Sequence, residues 1–374
     1  MRKEHKTILI AMPNKGTKGG PQGHLPYLVE SLEQKGHKLI QVSYGQKKDN
    51  ENIFWKAISN IVSIRRLRQI LKNNSDIDII HINSAFDTKA LIRDTLTVIF
   101  ILKYSKPIFI KFHGSDKNLT ETKNYILRFL QNKLYKFIDG MGVLSSEERK
   151  NFIKAGVDVS KIFIVKNIVK PELYKKNDGS LNENNFNYHN IILYISRFIE
   201  NKGLLDVIEA CKLLKENNRE FILLCLGDGP IRKSAENNVR MYGLEGKVKF
   251  LGYIPEEETH EYYSNSDFIV FPTYHQEGFP MAIFRSLAAG LPIITTKIRA
   301  AADYLKEPDN CLWVEPKNTK MISEKMMYLI DNPELRNNMS KNNRELSTQF
   351  SSENITNEFI IIYNKILNNY KKNV

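Results

Sequence analysis

Four short segments hold residues whose types and spacing suit chemistry on an anionic, hydroxyl-rich ligand. In SRFIENKG (196–203), Arg197 stands just past an apolar run and Lys202 five residues on, before a helical stretch. Two cations converging on a helix start suit a pyrophosphate, the arginine by its planar fork and the lysine as a point charge. In PTYHQEGFPMAIFRSLAAGLP (272–292), a second apolar run ends and Glu277-Gly278-Phe279-Pro280 leads into another helical stretch. A carboxylate there can accept sugar hydroxyls while amides at the helix start face phosphate. KFHGSD (111–116) puts His113 at a strand end before Gly114, placed to hydrogen-bond a substrate hydroxyl. PNKGTKGGPQGH (13–24) clusters Gly16, Gly19, Gly20 and Gly23 ahead of a helical stretch, where a backbone free of Cβ atoms can approach a ligand closely. It matches neither the Walker A loop nor G-x-G-x-x-G. Each segment also has a plainer reading: solvated surface charges, a helix-capping carboxylate, a structural histidine, a flexible loop. LGDGP (226–230) reads as a tight structural turn. Asp76 and Asp78 form a D-x-D that precedes its strand, at the wrong end of a sheet for a metal site, so solvation or capping is expected of them.

The elements that must position these residues are short Ile/Val/Phe-rich runs alternating with amphipathic stretches, the pattern of helices packed on both faces of a parallel sheet. Strands are expected at Thr7–Met12, Leu39–Ser43, Ile79–Asn83, Ile108–His113, Gly140–Leu144 and Ile162–Lys166. A second set is expected at Ile191–Ser196, Phe221–Leu226, Val248–Gly252, Phe268–Pro272, Pro292–Thr296 and Leu312–Glu315. Residues 171–190, Asn-rich and without apolar periodicity, read as a linker between two αβ domains, 1–170 and 191–349. From Phe350 to Leu367, apolar residues recur at helical spacing and no strand follows. In open parallel sheets ligands bind at the carboxyl ends of strands, where all four segments would lie.

With 374 residues, 42% apolar and 26% charged, the chain can bury full cores and is neither disordered nor a disulfide scaffold. Cys211, Cys225 and Cys311 lie far apart, with no C-x-x-C pair, so no zinc site or disulfide framework is expected and a reducing, cytoplasmic setting fits. The opening apolar stretch is too short for a signal segment, and the run Thr95 to Leu102 is too short to span a bilayer. The net charge of +13 divides unevenly, +15 over residues 1–170 and −2 over the rest. That asymmetry points to a polyanionic partner for the first half, nucleic acid or an anionic membrane face.

Taken in order, these segments resemble glycosyltransferase family 4, retaining sugar-nucleotide transferases of the GT-B architecture. The resemblance spans nearly the whole chain: the glycine loop, Gly36-His37, HGSD, SRFIENKG, GDGP, GYIPEEETHEYYSNSDFIVFPT (252–273), EGFP and AAGLP. It implies two Rossmann-like, doubly wound parallel-sheet domains facing across a cleft, the first binding acceptor and the second nucleotide sugar, with 350–374 as a helix packing back on the first. It assigns Arg197 and Lys202 to the donor diphosphate, His113 to the donor sugar, and Glu277, the first acid of an E-x7-E motif, to sugar hydroxyls. Gly278, Phe279 and Pro280 would present backbone amides, Gly19 and Gly20 would lie beneath sugar and acceptor, and Tyr253 and Ile254 would pack the nucleobase. The motif's second acid is replaced by Arg285, where the family binds ribose with a carboxylate; a donor-only arginine would have to serve there instead. Arg299 and Ala300 replace a Gly-Gly before Asp303, and Arg299 would add a side-chain phosphate contact. Of the family's N-G-V-D after the sixth strand only Asn167 remains, in Asn167-Ile168-Val169-Lys170.

The reaction so implied moves a sugar from a nucleoside diphosphate sugar, a UDP-sugar first among them, to a hydroxyl of a glycan or lipid-linked acceptor in surface polysaccharide or lipopolysaccharide assembly. Configuration would be retained, without metal or other cofactor, by front-face displacement. The same Arg285 favours a rival, a non-catalytic GT-B scaffold, and a sugar-nucleotide epimerase would share the fold. Nucleic acid is not expected, since no RNP-type or zinc-finger signature accompanies the basic half. An anionic membrane is the expected partner of that half, with the protein cytoplasmic and peripheral on the inner face of the plasma membrane. FWKAISNIVSIRRLRQILKN (54–73) combines Phe54, Trp55, Ile58, Ile61 and Val62 with Arg65, Arg66, Arg68 and Lys72, as a surface-lying helix does, although the same spacing also suits a helix with its stripe in the core. Lys123–Lys136 is a second basic helix.

Overall fold

The computed structural model describes residues 5–14, 23–45, 53–174 and 190–373. The glycine loop with Gly16, Gly19 and Gly20, and nearly all of the expected linker, lie outside the described residues. The chain forms two compact units, residues 1–168 with 352–374, and residues 169–351.

The first unit is built on a six-stranded sheet: β1 Thr7–Pro13, β2 Lys38–Tyr44, β3 Ile79–Phe86, β4 Ile108–Ser115, β5 Gly140–Val143 and β6 Ile162–Ile164. The order is β2-β1-β3-β4-β5-β6, with every pairing parallel. All six are strands the apolar runs predict, and burial on both faces explains why those runs hardly alternate. Two run further than their apolar cores. The polar NSAF and FHGS segments extend the β3–β4 ladder through a register shift between Ser84 and Phe86, so His113 sits inside β4 rather than at its end. Asp76 and Asp78 tie the strand starts together: Thr7 N donates to Asp78 at 2.8 Å, and Thr7 Oγ1 and Lys38 Nζ donate to Asp76 at 3.2 and 2.9 Å.

The helix Ser352–Asn373 belongs to this unit and packs with the helix Leu25–Gln34. Its Tyr363 hydroxyl meets His81 Nδ1 at 2.7 Å, and Phe359 stacks on the His81 ring. A Cβ on Gly140 would run into Ile366, so glycine at the start of β5 lets the helix settle onto the sheet. Beneath it lies Lys111, fully buried, its Nζ donating to Asn167 at 2.8 Å and lying 5.3 Å over the Phe359 ring. Burial pushes this ammonium down to about 7 and, with Lys111 adding to it, His81 down to about 3.

The second unit repeats the plan with β7 Ile191–Ile195, β8 Ile222–Leu226, β9 Val248–Gly252, β10 Phe268–Phe271, β11 Ile293–Thr296 and β12 Cys311–Val314, in the order β12-β11-β10-β7-β8-β9 and all parallel. Chain direction across the sheet reverses between β7 and β10. In a doubly wound sheet that reversal splays the loops apart at the carboxyl ends and opens a ligand crevice.

Lys111 sets a stability test. Its pKa falls from 10.5 in the unfolded chain to about 7, so the unfolded state binds more protons between those values and folding gains as pH rises through the window. Urea unfolding should show Lys111→Met lacking part of the wild-type gain, up to about 1.4 kcal/mol per pH unit. Equal slopes in the two proteins would show that Lys111 folds in as an ordinary ammonium.

Candidate functional site

The loops after β7 and β10 carry the two segments with the strongest chemistry, and the topology sets them side by side. Past β7 the chain makes a short turn, Glu200–Lys202, that ends at Gly203 with φ +78°. A side chain at Gly203 would be strained by that φ and would press on the Pro272 carbonyl, so glycine lets the turn lie directly on the end of β10. The loop after β10 is fastened to this turn. Tyr274 N and Thr273 Oγ1 donate to the Asn201 carbonyl at 3.0 and 3.3 Å, and the Tyr274 hydroxyl donates to the Glu200 carbonyl at 3.0 Å. From the β11 side, Thr296 Oγ1 donates to the Thr273 carbonyl and Arg299 donates to the Gln276 carbonyl at 3.2 Å.

Held this way, Lys202 Nζ and Glu277 Oε1 form an ion pair with both side chains mostly buried, and the ammonium lies 5.6 Å over the Phe271 ring. Arg197 stands exposed beside them and acts electrostatically on Lys202 and His275. Burial, and after it the Arg197 charge, pushes Lys202 down to about 7. His275 is pushed down to about 4 by burial and then by Lys202, Arg197 and Arg299. Asn201 Nδ2 lies 2.8 Å from His275 Nδ1. An amide nitrogen only donates, so Nδ1 accepts and the proton of the neutral ring sits on Nε2. The result is three cations, one carboxylate and one neutral imidazole donor around a strand-end crevice, an arrangement able to grip a diphosphate and hydroxyls together.

Gly278 and Phe279 are buried ahead of the helix Met281–Ala289. Phe279 stacks on Phe284 at 3.6 Å and is part of the core. Pro280 takes the N-cap position and has no N–H, so it cannot present an amide; the amides of this turn belong to its neighbours. Arg299 is buried at φ +41°, the left-handed region that glycine adopts at least cost, and there it also approaches Gln276 Oε1 at 3.3 Å.

Arg285 does not stand open to a ligand. Burial works against its charge, and Tyr263 and Glu256 more than offset this, leaving the guanidinium firmly protonated in an ion pair with Glu256. Glu256 keeps 40% of its side chain exposed, three residues past the exposed Tyr253 and two past the half-buried Ile254 at the end of β9. A carboxylate therefore returns beside position 285 from a different element.

In the first unit, His113 Nε2 meets Asn83 Oδ1 at 2.9 Å and its Nδ1 meets His24 Nε2 at 3.4 Å. Asn83 Nδ2 donates to the Ala11 carbonyl at 3.1 Å, so its oxygen must accept from His113. Burial, then Lys111 and His81, holds His113 well below the usual histidine range, so the ring is neutral. Among the described residues no cluster of three or more His, Cys, Asp or Glu is placed to hold a metal ion.

His275, Asn201, Glu256 and His24 are not singled out by the sequence. His275 stands two residues before Glu277, whose N–H donates to the His275 carbonyl at 2.7 Å in a tight turn that the sequence does not announce. Glu256 and Arg285 are 29 residues apart, with nothing in the sequence to pair them.

Two family models match the chain in succession, Glycosyltransferase Family 4 over residues 18–173 and Glycosyl transferases group 1 over residues 180–346. An uncharacterized glycosyltransferase of Methanocaldococcus jannaschii is 24% identical over 350 residues, covering 90% of this chain and 91% of that protein. The N,N'-diacetylbacillosaminyl-diphospho-undecaprenol alpha-1,3-N-acetylgalactosaminyltransferase of Campylobacter jejuni is 25% identical over 265 residues, 66% of this chain and 67% of its own. In three dimensions the chain is similar to Anabaena HepE, solved with UDP and glucose, at a TM-score of 0.74 and 18% identity, covering 96% of this chain and 99% of that one.

The depressed Lys202 makes ligand binding proton-linked. A diphosphate beside it favours the ammonium, so its pKa rises on binding, and above about 7 each binding event takes up a proton. Calorimetry with UDP in buffers of differing ionisation enthalpy should show uptake approaching one proton near pH 8, none near pH 6, and affinity falling as pH rises. Lys202→Met should abolish the difference. Uptake that is absent, or that persists in the variant, would assign the site's proton chemistry elsewhere.

Proposed function

We propose that this chain, which belongs to the family 4 glycosyltransferases of GT-B fold, transfers a glycosyl group from a nucleoside diphosphate sugar to an acceptor hydroxyl with retention of configuration. The observation that carries the reading is the buried Lys202–Glu277 pair with Arg197 beside it, at the point where the second sheet reverses. UDP is the preferred nucleotide, supported by the UDP bound in the fold relative HepE. A lipid-linked glycan is the preferred acceptor, and surface polysaccharide or lipopolysaccharide assembly the preferred setting, a reading supported by the diphospho-undecaprenol named for the Campylobacter relative.

The chain's residues divide the work as follows. The incoming diphosphate displaces Glu277 from Lys202, so the lysine gains a phosphate partner and the carboxylate is released to accept hydroxyls of the transferred sugar. As the bond from the anomeric carbon to the phosphate oxygen breaks, negative charge gathers on the diphosphate, where the fixed charges of Lys202 and Arg197 stabilise it more than in the ground state. The acceptor oxygen attacks the same face and its proton passes to the departing phosphate oxygen, so bonds and charge balance without a protein nucleophile. Arg299 stiffens the Gln276–Glu277 loop and adds positive potential. His275, neutral, offers a hydrogen bond rather than a charge. His113 is neutral and its one N–H is given to Asn83, so a sugar hydroxyl would meet it as a donor to Nδ1, in place of the long contact with His24. Glu256, locked by Arg285, takes over the ribose hydroxyls that a carboxylate at 285 would have accepted, next to Tyr253 for the base.

The test is transfer from a UDP-sugar panel, read by nucleoside diphosphate release and by the anomeric configuration of the product. Lys202→Ala and Glu277→Ala should each lower kcat by about 10²–10³, and Glu256→Gln should raise the donor KM by about one to two decades. The exchange Arg285→Glu with Glu256→Arg should recover much of that loss. An inverted product, or wild-type turnover in Lys202→Ala, would remove the mechanism; an unchanged KM in Glu256→Gln would remove the ribose assignment alone. Nucleotide binding without release or transfer would favour a scaffold.

A further inference from the structure

The helices Ile53–Asn73, Thr88–Ile101 and Tyr125–Phe137 lie together on the first unit, the middle one packed against both others. The middle helix is apolar on two sides. Leu91, Val98 and Ile101 are buried in the core, while Ile92, Leu96, Ile99 and Phe100 are 43–48% exposed and recur at helical spacing along one outer stripe. On the neighbouring helix Tyr125 is 84%, Ile126 67% and Phe129 53% exposed. Isolated apolar side chains on a surface need no explanation, but seven on two touching helices form a patch that calls for an occupant.

The charges around the patch say which. The helices Ile53–Asn73 and Tyr125–Phe137 contain no Asp or Glu at all. The one acid of Thr88–Ile101, Asp94, is buried, bonded to the Tyr44 hydroxyl at 2.7 Å and to Arg93 Nε at 2.8 Å. Among the described residues the one carboxylate presented here is the exposed N-cap Asp87, which is turned onto the Lys89 and Ala90 amides, whereas Lys89 and Lys103 flank the apolar stripe and Arg65, Arg66, Arg128 and Lys136 are exposed. Lys133 lays its chain over the Phe129 ring with Nζ at 5.4 Å, as an interfacial lysine does when its stem stays apolar and its head stays wet. A protein partner would be expected to meet some charge of each sign; a surface apolar at its centre and cationic at its rim matches acyl chains beneath anionic headgroups.

We propose that this three-helix face docks on an anionic lipid bilayer, with Leu96, Phe100, Ile126 and Phe129 entering the interface and the surrounding lysines and arginines meeting lipid phosphates. No helix among the described residues is long and apolar enough to cross a membrane, so the contact is interfacial. The centre of the face is not the helix that sequence spacing favours. In Ile53–Asn73, Ile64, Leu67 and Leu71 are buried in the core, and among the side chains described there Trp55 and Ile61 are the exposed large apolar ones. The inference bears on the lipid-linked acceptor proposed above but rests on the surface alone.

Flotation of the full chain with phosphatidylcholine vesicles, with and without phosphatidylglycerol, tests it. The wild type should float with the anionic vesicles only. The double variant Leu96→Glu with Phe100→Glu should lose flotation, and Lys89→Gln and Lys103→Gln should each weaken it about five-fold. UDP affinity should stay at the wild-type value in all of them, which shows that the fold is intact. Flotation on both vesicle types alike, on neither, or undiminished in the double variant overturns the proposal. So does a wild-type dimer that the double variant dissolves while neither binds lipid, since the patch is then a protein interface. Flotation without sugar transfer would sink the proposed function and leave the docking face standing.

Discussion

Taking a lysine and a glutamate out of water costs several kcal/mol per ion, and their mutual attraction repays this only when the geometry is held tightly. The Lys202–Glu277 pair meets that condition because both flanking loops are bonded to each other's backbones: Asn201 holds Thr273 and Tyr274, and Gly203 lets the turn sit against Pro272. Loosening either loop would leave a charge buried without its partner. The pair has little to recommend it as a source of stability, since an apolar pair of equal volume would serve the fold as well or better. What it offers is a cation and an acceptor stored against each other, to be separated by a ligand that presents a diphosphate to one and hydroxyls to the other.

The first unit handles buried polarity in the opposite way. His81 and Lys111 are buried and His113 half-buried, none of them hydrogen-bonded to a carboxylate among the described residues, and desolvation holds the two histidines neutral and the lysine close to neutrality. Their hydrogen bonds go to Tyr363, Asn83, His24 and Asn167, so this group carries hydrogen-bonding capacity with little fixed charge, whereas the buried Asp94 of the same unit is paired with Arg93. Its large excess of positive charge is on the outside, concentrated on helices that also expose apolar side chains. The two units thus place their cations differently, one set close together at strand ends and one over an extended surface.

The twelve strands described are legible in the sequence, the central ones because a strand buried on both faces must be an unbroken apolar run, while the half-exposed edge strands Lys38–Tyr44 and Val248–Gly252 mix polar residues into theirs. Lys202 and Glu277 are singled out by lying in the loops that follow two strands, which needs only local sequence, and the structure pairs them. Contacts between distant segments are not. Arg285 reads as a lost carboxylate until Glu256 is seen beside it, and His24 reads as part of a loop until His113 is found against it. Helix orientation is likewise hidden: only packing decides that Ile53–Asn73 buries Ile64, Leu67 and Leu71 while Trp55 and Ile61 stay exposed, and that Thr88–Ile101 leaves a whole stripe, Ile92, Leu96, Ile99 and Phe100, outside. Pro280 shows the converse, a position where elementary chemistry corrects a motif-level assignment without any coordinates.

The account's central claim is that Lys202 changes partner when donor binds. It is tested most directly by determining the structure of the full chain with UDP and measuring what lies within hydrogen-bond distance of Lys202 Nζ. A β-phosphate oxygen at that distance, with Glu277 released, is the result the account predicts. A Lys202 still paired with Glu277 while the diphosphate lies elsewhere would contradict it.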